Sequence, residues 1–301
     1  MAKIHLKESL LTVIVPLFNE AQSIPEVIPA LLDFCRNHDW KLLLVDDGST
    51  DATPRLLDEF ERQPGVRVVR HKLNRGYGGA LKTGILESDT PYAVTVDGDG
   101  QHDPLDVEKV FAFALAQDAD MVVGRRDRPR NASWYRELGK SIIRSFTRLL
   151  MPLPIHDLNS GFKLYRTVLA RRYVALCPDS MAFSDIITLI FINQRNLVLE
   201  HPITIKQRRA GQSTINTYTA FETVMEIINL ALLFNPLRVF LPISLACIII
   251  GLAWGIPFLI MQRGVSVGSM LAIVTGLLFF VIGLIASQLA ALRMGMLNRE
   301  K

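Results

Sequence analysis

The stretch "VTVDGDGQHDP", Val94–Pro104, joins an apolar run to a cluster of polar side chains. Within seven positions it carries three aspartates, a glutamine and a histidine. A continuous apolar run is typical of a strand that is covered on both faces, as in parallel sheets. Ligands of such sheets bind beyond the carboxyl ends of the strands. The stretch therefore predicts a buried strand that ends at a ligand site.

Strand-like and helix-like patterns alternate along the first 125 residues. Strands are predicted at Leu11–Leu17, Lys41–Asp46, Val66–Arg70, Tyr92–Asp97 and Met121–Gly124. Helices are predicted between them at Pro25–Phe34, Pro54–Arg62, Gly79–Ile85 and Leu105–Gln117. Strict alternation favours a parallel sheet with helices on both faces. We therefore expect an α/β fold with a mostly parallel sheet.

The carboxylates after the fourth strand suggest a metal site. Asp97 and Asp99 lie two positions apart with glycines beside them, and Gln101 adds a neutral oxygen. Mg²⁺ and Mn²⁺ prefer oxygen ligands, and Mg²⁺ is often held by one or two carboxylates together with substrate phosphates. A solvated turn without a ligand is the alternative. An EF-hand loop is disfavoured, because His102 stands where that loop requires glycine.

Polar clusters also follow the first two strands. These are "PLFNE", Pro16–Glu20, and "DDGSTD", Asp46–Asp51. Carboxyl ends of parallel strands meet at one edge, so we expect these clusters to converge with the carboxylates after the fourth strand. Asp46 or Asp47 suits hydrogen bonds from a base or ribose, and the serine and threonine that follow also suit a turn or a helix cap. The glycines of "NRGYGGALKTG" are interpreted as turn and packing residues, because Leu81 stands where a G-x-G-x-x-G phosphate loop needs glycine.

Two long uncharged runs lie towards the end of the chain. Val239–Met261 has 23 residues without a charge, and Val265–Leu292 has 28. At about 1.5 Å per residue, each run spans a hydrocarbon core of about 30 Å as a helix. A transmembrane hairpin is predicted, and two buried core helices are the alternative. The flanks carry Arg238, Arg293, Arg299 and Lys301. The turn between the runs carries only Arg263, so we expect the large domain and both chain ends in the cytoplasm. The strand-like run after "MAKIHLKESL" is too short for a signal peptide or a span, so we expect no cleavable signal peptide.

The segment Trp134–Leu150 has the pattern of an amphipathic helix. Cations recur every four residues, at Arg136, Lys140, Arg144 and Arg148, beside an apolar face. Such a helix suits a membrane interface, where cations meet lipid phosphates and apolar side chains meet acyl chains. A solvated surface helix is the alternative. The hairpin in the same chain favours the interfacial helix.

Charge and cysteine content limit the partners. The net charge is +4, which suits an anionic surface or substrate, and nucleic acid is not among the expected partners. The three cysteines are odd in number and match no metal motif, so they suit a reducing compartment. A homo-oligomer is compatible with this composition.

Five motifs in order carry a resemblance to a known family. They are "VIVPLFNE", "LLVDDGSTD", "NRGYGGALKTGI", "VDGDGQHDP" and "DLNSGFKLYR". The region Leu11–Ile215 resembles the family 2 glycosyltransferases, in the branch of dolichol-phosphate mannosyltransferase and bacterial polyprenyl-phosphate glycosyltransferases. The resemblance implies a GT-A (Rossmann-like) fold and the transfer of a sugar, with inversion, from a UDP- or GDP-sugar to a membrane polyprenyl phosphate.

The resemblance also implies roles for individual residues. The nucleotide-sugar pocket would contain Pro16, Phe18, Glu20, Val45, Asp47, Asp97, Gly98 and Asp99. A divalent cation, Mg²⁺ or Mn²⁺, would lie on Asp97, Asp99 and Gln101, with the last two as direct ligands. The family often has tyrosine where this chain has Phe18, and lysine where it has Thr214. His102 and Asp103 receive no role beyond shaping the turn.

Basic residues near this site are candidates for the acceptor phosphate, because arginine forms bidentate contacts with phosphate. The candidates, which include one serine as a hydrogen-bond donor, are Arg125, Arg126, Arg136, Ser160, Lys163, Arg208 and Arg209. The catalytic candidates are Asp99, Arg126 and Asp157; Asp157 either positions the acceptor, assists electrostatically or caps its loop. A phosphate acceptor is already ionised at neutral pH, so no strong general base is required.

Two other functions are alternatives. A polysaccharide synthase acting on a sugar hydroxyl would usually carry a Q-x-x-R-W motif and more spans, and a non-catalytic membrane adaptor would not need intact carboxylates. The predicted domains are a cytosolic glycosyltransferase domain with interfacial helices, 1–233, and a transmembrane hairpin with a short tail, 234–301.

Overall fold

The computed structural model describes residues 9–126, 155–205, Leu232 and residues 235–297. The chain forms two compact units, which are described separately. The larger unit holds the described residues up to Ile205, and the second unit holds those from Leu232 onward. The amphipathic segment Trp134–Leu150 lies outside the described residues. The predicted domain division between residues 233 and 234 remains a prediction.

Strands and helices alternate in the larger unit, as the sequence predicts. The strands are β1 (Leu11–Leu17), β2 (Lys41–Asp46), β3 (Val66–Arg70), β4 (Tyr92–Thr95), β5 (Met121–Arg126), β6 (Lys163–Arg166) and β7 (Val198–Ile203). The helices are α1 (Ile24–Asn37), α2 (Thr53–Glu61), α3 (Tyr77–Glu87), α4 (Pro104–Gln117), α5 (Thr167–Tyr173) and α6 (Phe183–Asn193). A single turn of 3₁₀ helix, Val174–Leu176, follows α5.

The strands form one sheet in the order β3-β2-β1-β4-β6-β5-β7. The pairs between β3, β2, β1 and β4 are parallel, as is the pair of β5 with β7. β6 is antiparallel to both of its neighbours, β4 and β5. This topology confirms the prediction of an α/β fold with a mostly parallel sheet. The reversed β6 begins at the edge where the other strands end, and the segment before it therefore lies at that edge.

The central strands bury side chains on both faces of the sheet. In β1, Val13 and Val15 belong to a core cluster that includes Ile28 and Leu31 of α1. Ile14 is also completely buried, and it contacts α3. Alternate residues of a strand point to opposite faces, so a strand covered by helices on both faces needs a continuous apolar run.

Observed and predicted boundaries differ by a few residues. β4 ends at Thr95, although the N–H of Val96 still donates to the carbonyl of Ile14 at 2.9 Å. β5 continues to Arg126, because it pairs with β7 as far as Ile203. The extension of β5 places Arg126 at the carboxyl edge of the sheet.

Gly84 determines how closely α3 approaches β1. A Cβ atom at Gly84 would lie 2.3 Å from Cγ2 of the buried Ile14. We expect Gly84→Ala to lower the free energy of unfolding by about 1–2 kcal/mol, since the cost of overpacking exceeds the roughly 1 kcal/mol gained in helix propensity. Thermal unfolding measures this effect, with Glu59→Ala on the exposed face of α2 as the control. An unchanged Tm for Gly84→Ala would contradict this packing.

The second unit contains two long apolar helices, α7 (Pro236–Ile260) and α8 (Val267–Leu297). Their apolar segments have mean hydropathies of 2.4 and 2.5 and are long enough to cross a membrane. Cβ atoms at Gly251 and Gly276 would lie 2.7 Å and 2.6 Å from Ile273 and Ile248 of the opposite helix. Small residues allow such close approach between helices in a bilayer. The predicted two-helix hairpin is confirmed.

Candidate active site

One cavity of about 470 Å³ opens at the carboxyl edge of the sheet. Its lining comes from the ends of β1 and β5, the segments that follow β1, β2, β3 and β4, the start of α3, the segment before β6, and the region where α6 begins. The lining residues are Pro16, Leu17, Phe18, Glu20, Asp47, Asn74, Tyr77, Ala80, Asp97, Gly98, Asp99, Gln101, Arg126, Asn159, Gly161, Met181 and Ser184. The predicted convergence of the three polar clusters is therefore confirmed.

Hydrogen bonds join the loops that follow β1 and β2. The N–H of Asn19 donates to Oγ of Ser49 at 3.0 Å, and Oδ1 of Asn19 accepts from the N–H of Thr50 at 2.9 Å. The N–H of Glu20 donates to Oγ1 of Thr53 at 2.9 Å. These hydrogen bonds hold the loop that carries Glu20, which lines the cavity, against the loop after β2.

The Asp47 carboxylate is buried at the cavity and holds the segment that leads into α3. Its Oδ1 lies 2.6 Å from Nδ1 of His71 and accepts from the N–H of Arg75 at 2.9 Å. Its Oδ2 accepts from the N–H of Gly76 at 2.9 Å. The other ring nitrogen of His71 lies 2.9 Å from Oγ1 of Thr83. Sequence reasoning missed His71. Its position directly after β3, at the carboxyl edge of the sheet, is the feature of the sequence that could have identified it.

Asp97, Asp99 and Gln101 all line the cavity, as predicted for a metal site. The N–H of Gln101 donates to Oδ1 of Asp99 at 3.1 Å. Gly98 allows this turn to approach β1, because a Cβ atom there would lie 2.5 Å from Cδ2 of Leu17. No group of three His, Cys, Asp or Glu side chains within the described residues is placed to hold a metal. Two carboxylates and an amide oxygen fit Mg²⁺ or Mn²⁺ when substrate phosphates complete the coordination.

The surroundings of Asp97 keep this carboxylate ionised. Burial acts to raise its pKa, but contacts with His102 and Tyr77 and the charge of Arg126 lower the pKa below its ordinary value. A carboxylate must be ionised to bind a cation. His102, which was assigned no role beyond shaping the turn, thus contacts the candidate metal site. Asp103 caps α4, where its Oδ1 accepts from the N–H of Leu105 at 3.1 Å.

Arg126 reaches the cavity from the end of β5, and Asp157 holds it there. Its Nε and Nη2 donate to the two oxygens of Asp157 at 2.7 Å and 2.8 Å, and its backbone N–H donates to Oδ2 at 3.1 Å. Nη2 also donates to the carbonyl of Asn159 at 3.1 Å. The hydrogen bond with Asp157 raises the pKa of Arg126. Asp157 does not line the cavity, so this geometry favours a positioning role over direct contact with a substrate.

Glu200 of β7 supports the segment that carries Asp157. Its Oε1 accepts from the N–H groups of His156 and Asp157 at 2.6 Å and 2.9 Å. The Glu200 side chain is 10% exposed. Sequence reasoning missed this residue, because no local pattern places β7 beside β5.

Two predicted acceptor-phosphate residues lie in the interior. Ser160 and Lys163 are completely buried, and neither lines the cavity. Nζ of Lys163 donates to the carbonyl of Leu158 at 2.7 Å and to that of Ser184 in α6. Because β6 runs between β4 and β5, its first residue lies within the sheet. Contact with a phosphate does not fit this burial, and Lys163 instead ties the segment before β6 to α6.

The buried Lys163 gives a pH-dependent stability. Burial lowers its pKa from the ordinary 10.5 to about 7. Between these values the unfolded chain binds more protons than the folded one, so the stability contributed by this group rises with pH. Below pH 7 both states are protonated and the contribution is constant. We expect the Tm of the wild type to rise relative to Lys163→Met from about pH 7 to pH 10. A constant difference in Tm across this range would contradict the titration.

The remaining predicted residues are placed as follows. Val45 is completely buried within β2 and does not line the cavity. Arg125 is partly exposed on β5 and is not a lining residue. Arg136, Arg208, Arg209 and Thr214 lie outside the described residues. Sequence reasoning missed eight lining residues, whose signal is position along the chain rather than residue type: Leu17, Asn74, Tyr77, Ala80, Asn159, Gly161, Met181 and Ser184.

Comparison with protein families gives two matches. Residues 12–174 match the family described as "Glycosyl transferase family 2", and residues 235–292 match "GtrB C-terminal hairpin". The first match covers more than half of the chain. Among the described residues, the first match falls in the larger unit and the second match falls in the unit of the two long helices.

Named relatives span most of the chain. It is 29% identical over 226 residues to the polyprenol monophosphomannose synthase of Mycolicibacterium smegmatis, covering 71% of this chain and 84% of that protein. It is 32% identical over 226 residues to the uncharacterized protein MJ1222 of Methanocaldococcus jannaschii, covering 72% and 90%. It is 26% identical over 255 residues to the undecaprenyl-phosphate 4-deoxy-4-formamido-L-arabinose transferase of Sodalis glossinidius, covering 83% and 76%.

Solved structures share the fold. Glucosyl-3-phosphoglycerate synthase from Mycobacterium tuberculosis, in complex with Mn²⁺, UDP-glucose and phosphoglyceric acid, aligns with a TM-score of 0.57 at 18% identity. The alignment covers 74% of this chain and 80% of that chain. The expected GT-A fold is confirmed. With the family match across β1 to α5, the chain belongs to glycosyl transferase family 2.

Proposed function

We propose that this protein transfers a sugar from a UDP- or GDP-sugar to a membrane polyprenyl phosphate, with inversion at the anomeric carbon. The relatives from Mycolicibacterium smegmatis and Sodalis glossinidius are named as enzymes that act on polyprenol or undecaprenyl phosphate. The match to a GtrB C-terminal hairpin supports a membrane-bound acceptor. The observation that carries the proposal is the meeting of Asp97 and Asp99 with an Asp157-held Arg126 in one cavity.

The donor would bind along the walls formed by the loops after β1, β2 and β4. Phe18, Glu20 and Asp47 would contact the nucleotide, and Asp97, Asp99 and Gln101 would hold Mg²⁺ or Mn²⁺ against its diphosphate. A divalent cation in this place would stabilise the negative charge that develops on the departing nucleoside diphosphate. Without the cation, these carboxylates would repel the anionic diphosphate, so the site requires the cation to bind its donor.

The acceptor phosphate would approach Arg126. The guanidinium is positioned by Asp157 before any substrate binds, so little reorganisation is needed when a phosphate arrives. Because the acceptor is already ionised, Asp157 can be fully engaged with Arg126 and no proton has to be removed. Arg136, Arg208 and Arg209 remain candidates for further contacts with this phosphate.

The α7–α8 hairpin would anchor the enzyme where its lipid substrate lies. We propose that the catalytic domain and both ends of the chain face the cytoplasm, because positive charge flanks the two spans. The segment Trp134–Leu150 would lie in the interface beside the headgroups.

The proposal is tested with purified full-length protein in detergent. UDP- and GDP-sugars are combined with short and long polyprenyl phosphates in the presence of Mg²⁺ or Mn²⁺, and the organic phase is examined for labelled sugar. We expect a lipid-soluble product that requires donor, acceptor and cation together. Labelled product on an oligosaccharide but not on lipid would favour a hydroxyl acceptor. The absence of any product across the panel would favour a non-catalytic adaptor.

A further inference from the structure

Tyr77, the first residue of α3, contacts the first carboxylate of the proposed metal site. Its hydroxyl donates to Oδ1 of Asp97 at 2.9 Å. A tyrosine phenol is protonated at neutral pH and a carboxylate oxygen can only accept, so Tyr77 is the donor in this hydrogen bond. The hydrogen bond therefore restricts the rotation of the Asp97 carboxylate at the cavity wall.

The backbone at Gly161 closes around this contact. A Cβ atom at Gly161 would lie 2.7 Å from both Oδ2 of Asp97 and the hydroxyl of Tyr77. The carbonyl of Gly161 accepts from Oγ1 of Thr95 at 2.6 Å, which fixes this segment against the end of β4. No side chain larger than hydrogen fits beside the pair without displacing it.

His102 approaches the same carboxylate from the other side. Its Nε2 lies 3.4 Å from Oδ2 of Asp97, and its side chain is 5% exposed. Because a carboxylate oxygen can only accept, Nε2 is the donor in this contact, and Nδ1 of His102 has no hydrogen-bond partner among the described residues. Phe162, next to Gly161, lies against the His102 ring at a centroid distance of 5.2 Å.

We propose that Tyr77 is a positioning residue for the divalent cation, which it serves by fixing Asp97, and that Gly161 is required for this contact. The inference rests on the proposed metal site and adds two residues to which the sequence analysis assigned no role in that site. Residues that orient metal ligands typically change metal affinity by about 10- to 100-fold when they are substituted. A lower cation affinity can be distinguished from a general loss of structure, because a higher cation concentration restores binding only in the first case.

The test measures cation binding directly. Full-length wild type and Tyr77→Phe are titrated with Mn²⁺ in the presence of UDP or, in a parallel series, GDP, and free Mn²⁺ is followed by electron paramagnetic resonance. We expect Tyr77→Phe to weaken Mn²⁺ binding by about 10-fold or more, with transfer recovering at high Mn²⁺. The matched control is Tyr173→Phe, which removes a phenol that accepts a hydrogen bond from Asn196 at 2.9 Å and does not line the cavity. It should bind Mn²⁺ as the wild type does.

Gly161→Ala probes the same contact from the other side. We expect Gly161→Ala to weaken Mn²⁺ binding too. Because both changes break the same hydrogen bond between Tyr77 and Asp97, the double variant should lose less Mn²⁺ affinity than the product of the two single losses. Wild-type Mn²⁺ affinity in Tyr77→Phe would overturn the proposal. If Mn²⁺ binding depended on Tyr77 but the wild type transferred no sugar, the role of Tyr77 would be supported and the proposed function would be contradicted.

Discussion

Asp99→Asn should reduce divalent-dependent sugar transfer by about 10³-fold, because it removes one charge from the proposed cation site. Asp99 lines the cavity with Asp97, and its turn is shaped by the Gln101 N–H that donates to Oδ1 at 3.1 Å. An asparagine keeps the size of the side chain but offers the cation a neutral oxygen. The loss should therefore appear at every concentration of donor and acceptor.

The measurement is initial-rate transfer across a range of Mg²⁺ and Mn²⁺ concentrations. Asp103→Asn is the control, since it makes the same substitution in the same loop. Asp103 caps α4 and does not line the cavity, and asparagine also caps helices well. If Asp99→Asn kept full divalent-dependent transfer, the assignment of the metal site would be wrong.

Arg126→Lys should lower kcat/KM for polyprenyl phosphate by about 10²-fold and leave nucleotide binding nearly unchanged. A lysine cannot reproduce the two parallel hydrogen bonds that join Arg126 to Asp157 at 2.7 Å and 2.8 Å. It would leave the carboxylate of Asp157, whose side chain is 13% exposed, without a bidentate partner. The ammonium group would also meet a phosphate without the planar fork of a guanidinium.

Arg166→Lys is the matched control for this change. Arg166 also pairs with carboxylates, Asp118 at 2.7 Å and Asp120 at 3.0 Å, but it lies at the end of β6 and away from the cavity. Steady-state kinetics with varied acceptor, together with nucleotide binding by calorimetry, separate acceptor from donor effects. Normal kcat/KM in Arg126→Lys with complete loss in Asp157→Asn would indicate that Asp157 acts directly and not through Arg126.

The parallel part of the sheet could be predicted from the sequence because its signals are local. Most of the strands β1 to β5 are short apolar runs with a helical pattern beside them, and the polar clusters of the predicted site follow β1, β2 and β4. The reversal of β6 could not be predicted, because the strand order depends on packing between distant segments. Lys163 illustrates the consequence. Its motif suggested a cation at the site, whereas its place between two strands buries it.

The candidate site was predicted where residue type and position agree. Asp97, Asp99 and Gln101 combine the chemistry of a cation site with the end of a strand, and the structure brings them to one cavity. Residues that act through others, such as His71, Tyr77 and Glu200, carry no local pattern of their own. Their partners lie 24, 20 and 43 positions away along the chain, respectively. Contacts of that range arise only from the fold.

The composition of the lipid product tests the proposed transfer most directly. Purified protein is incubated with a labelled UDP- or GDP-sugar, undecaprenyl phosphate and Mn²⁺, and the organic and aqueous phases are measured by mass spectrometry. We predict a lipid that has gained one sugar and still contains one phosphate, with one nucleoside diphosphate released for each lipid formed. A lipid with two phosphates and released nucleoside monophosphate, or hydrolysis of the donor without a sugar-bearing lipid, would contradict transfer to the polyprenyl phosphate.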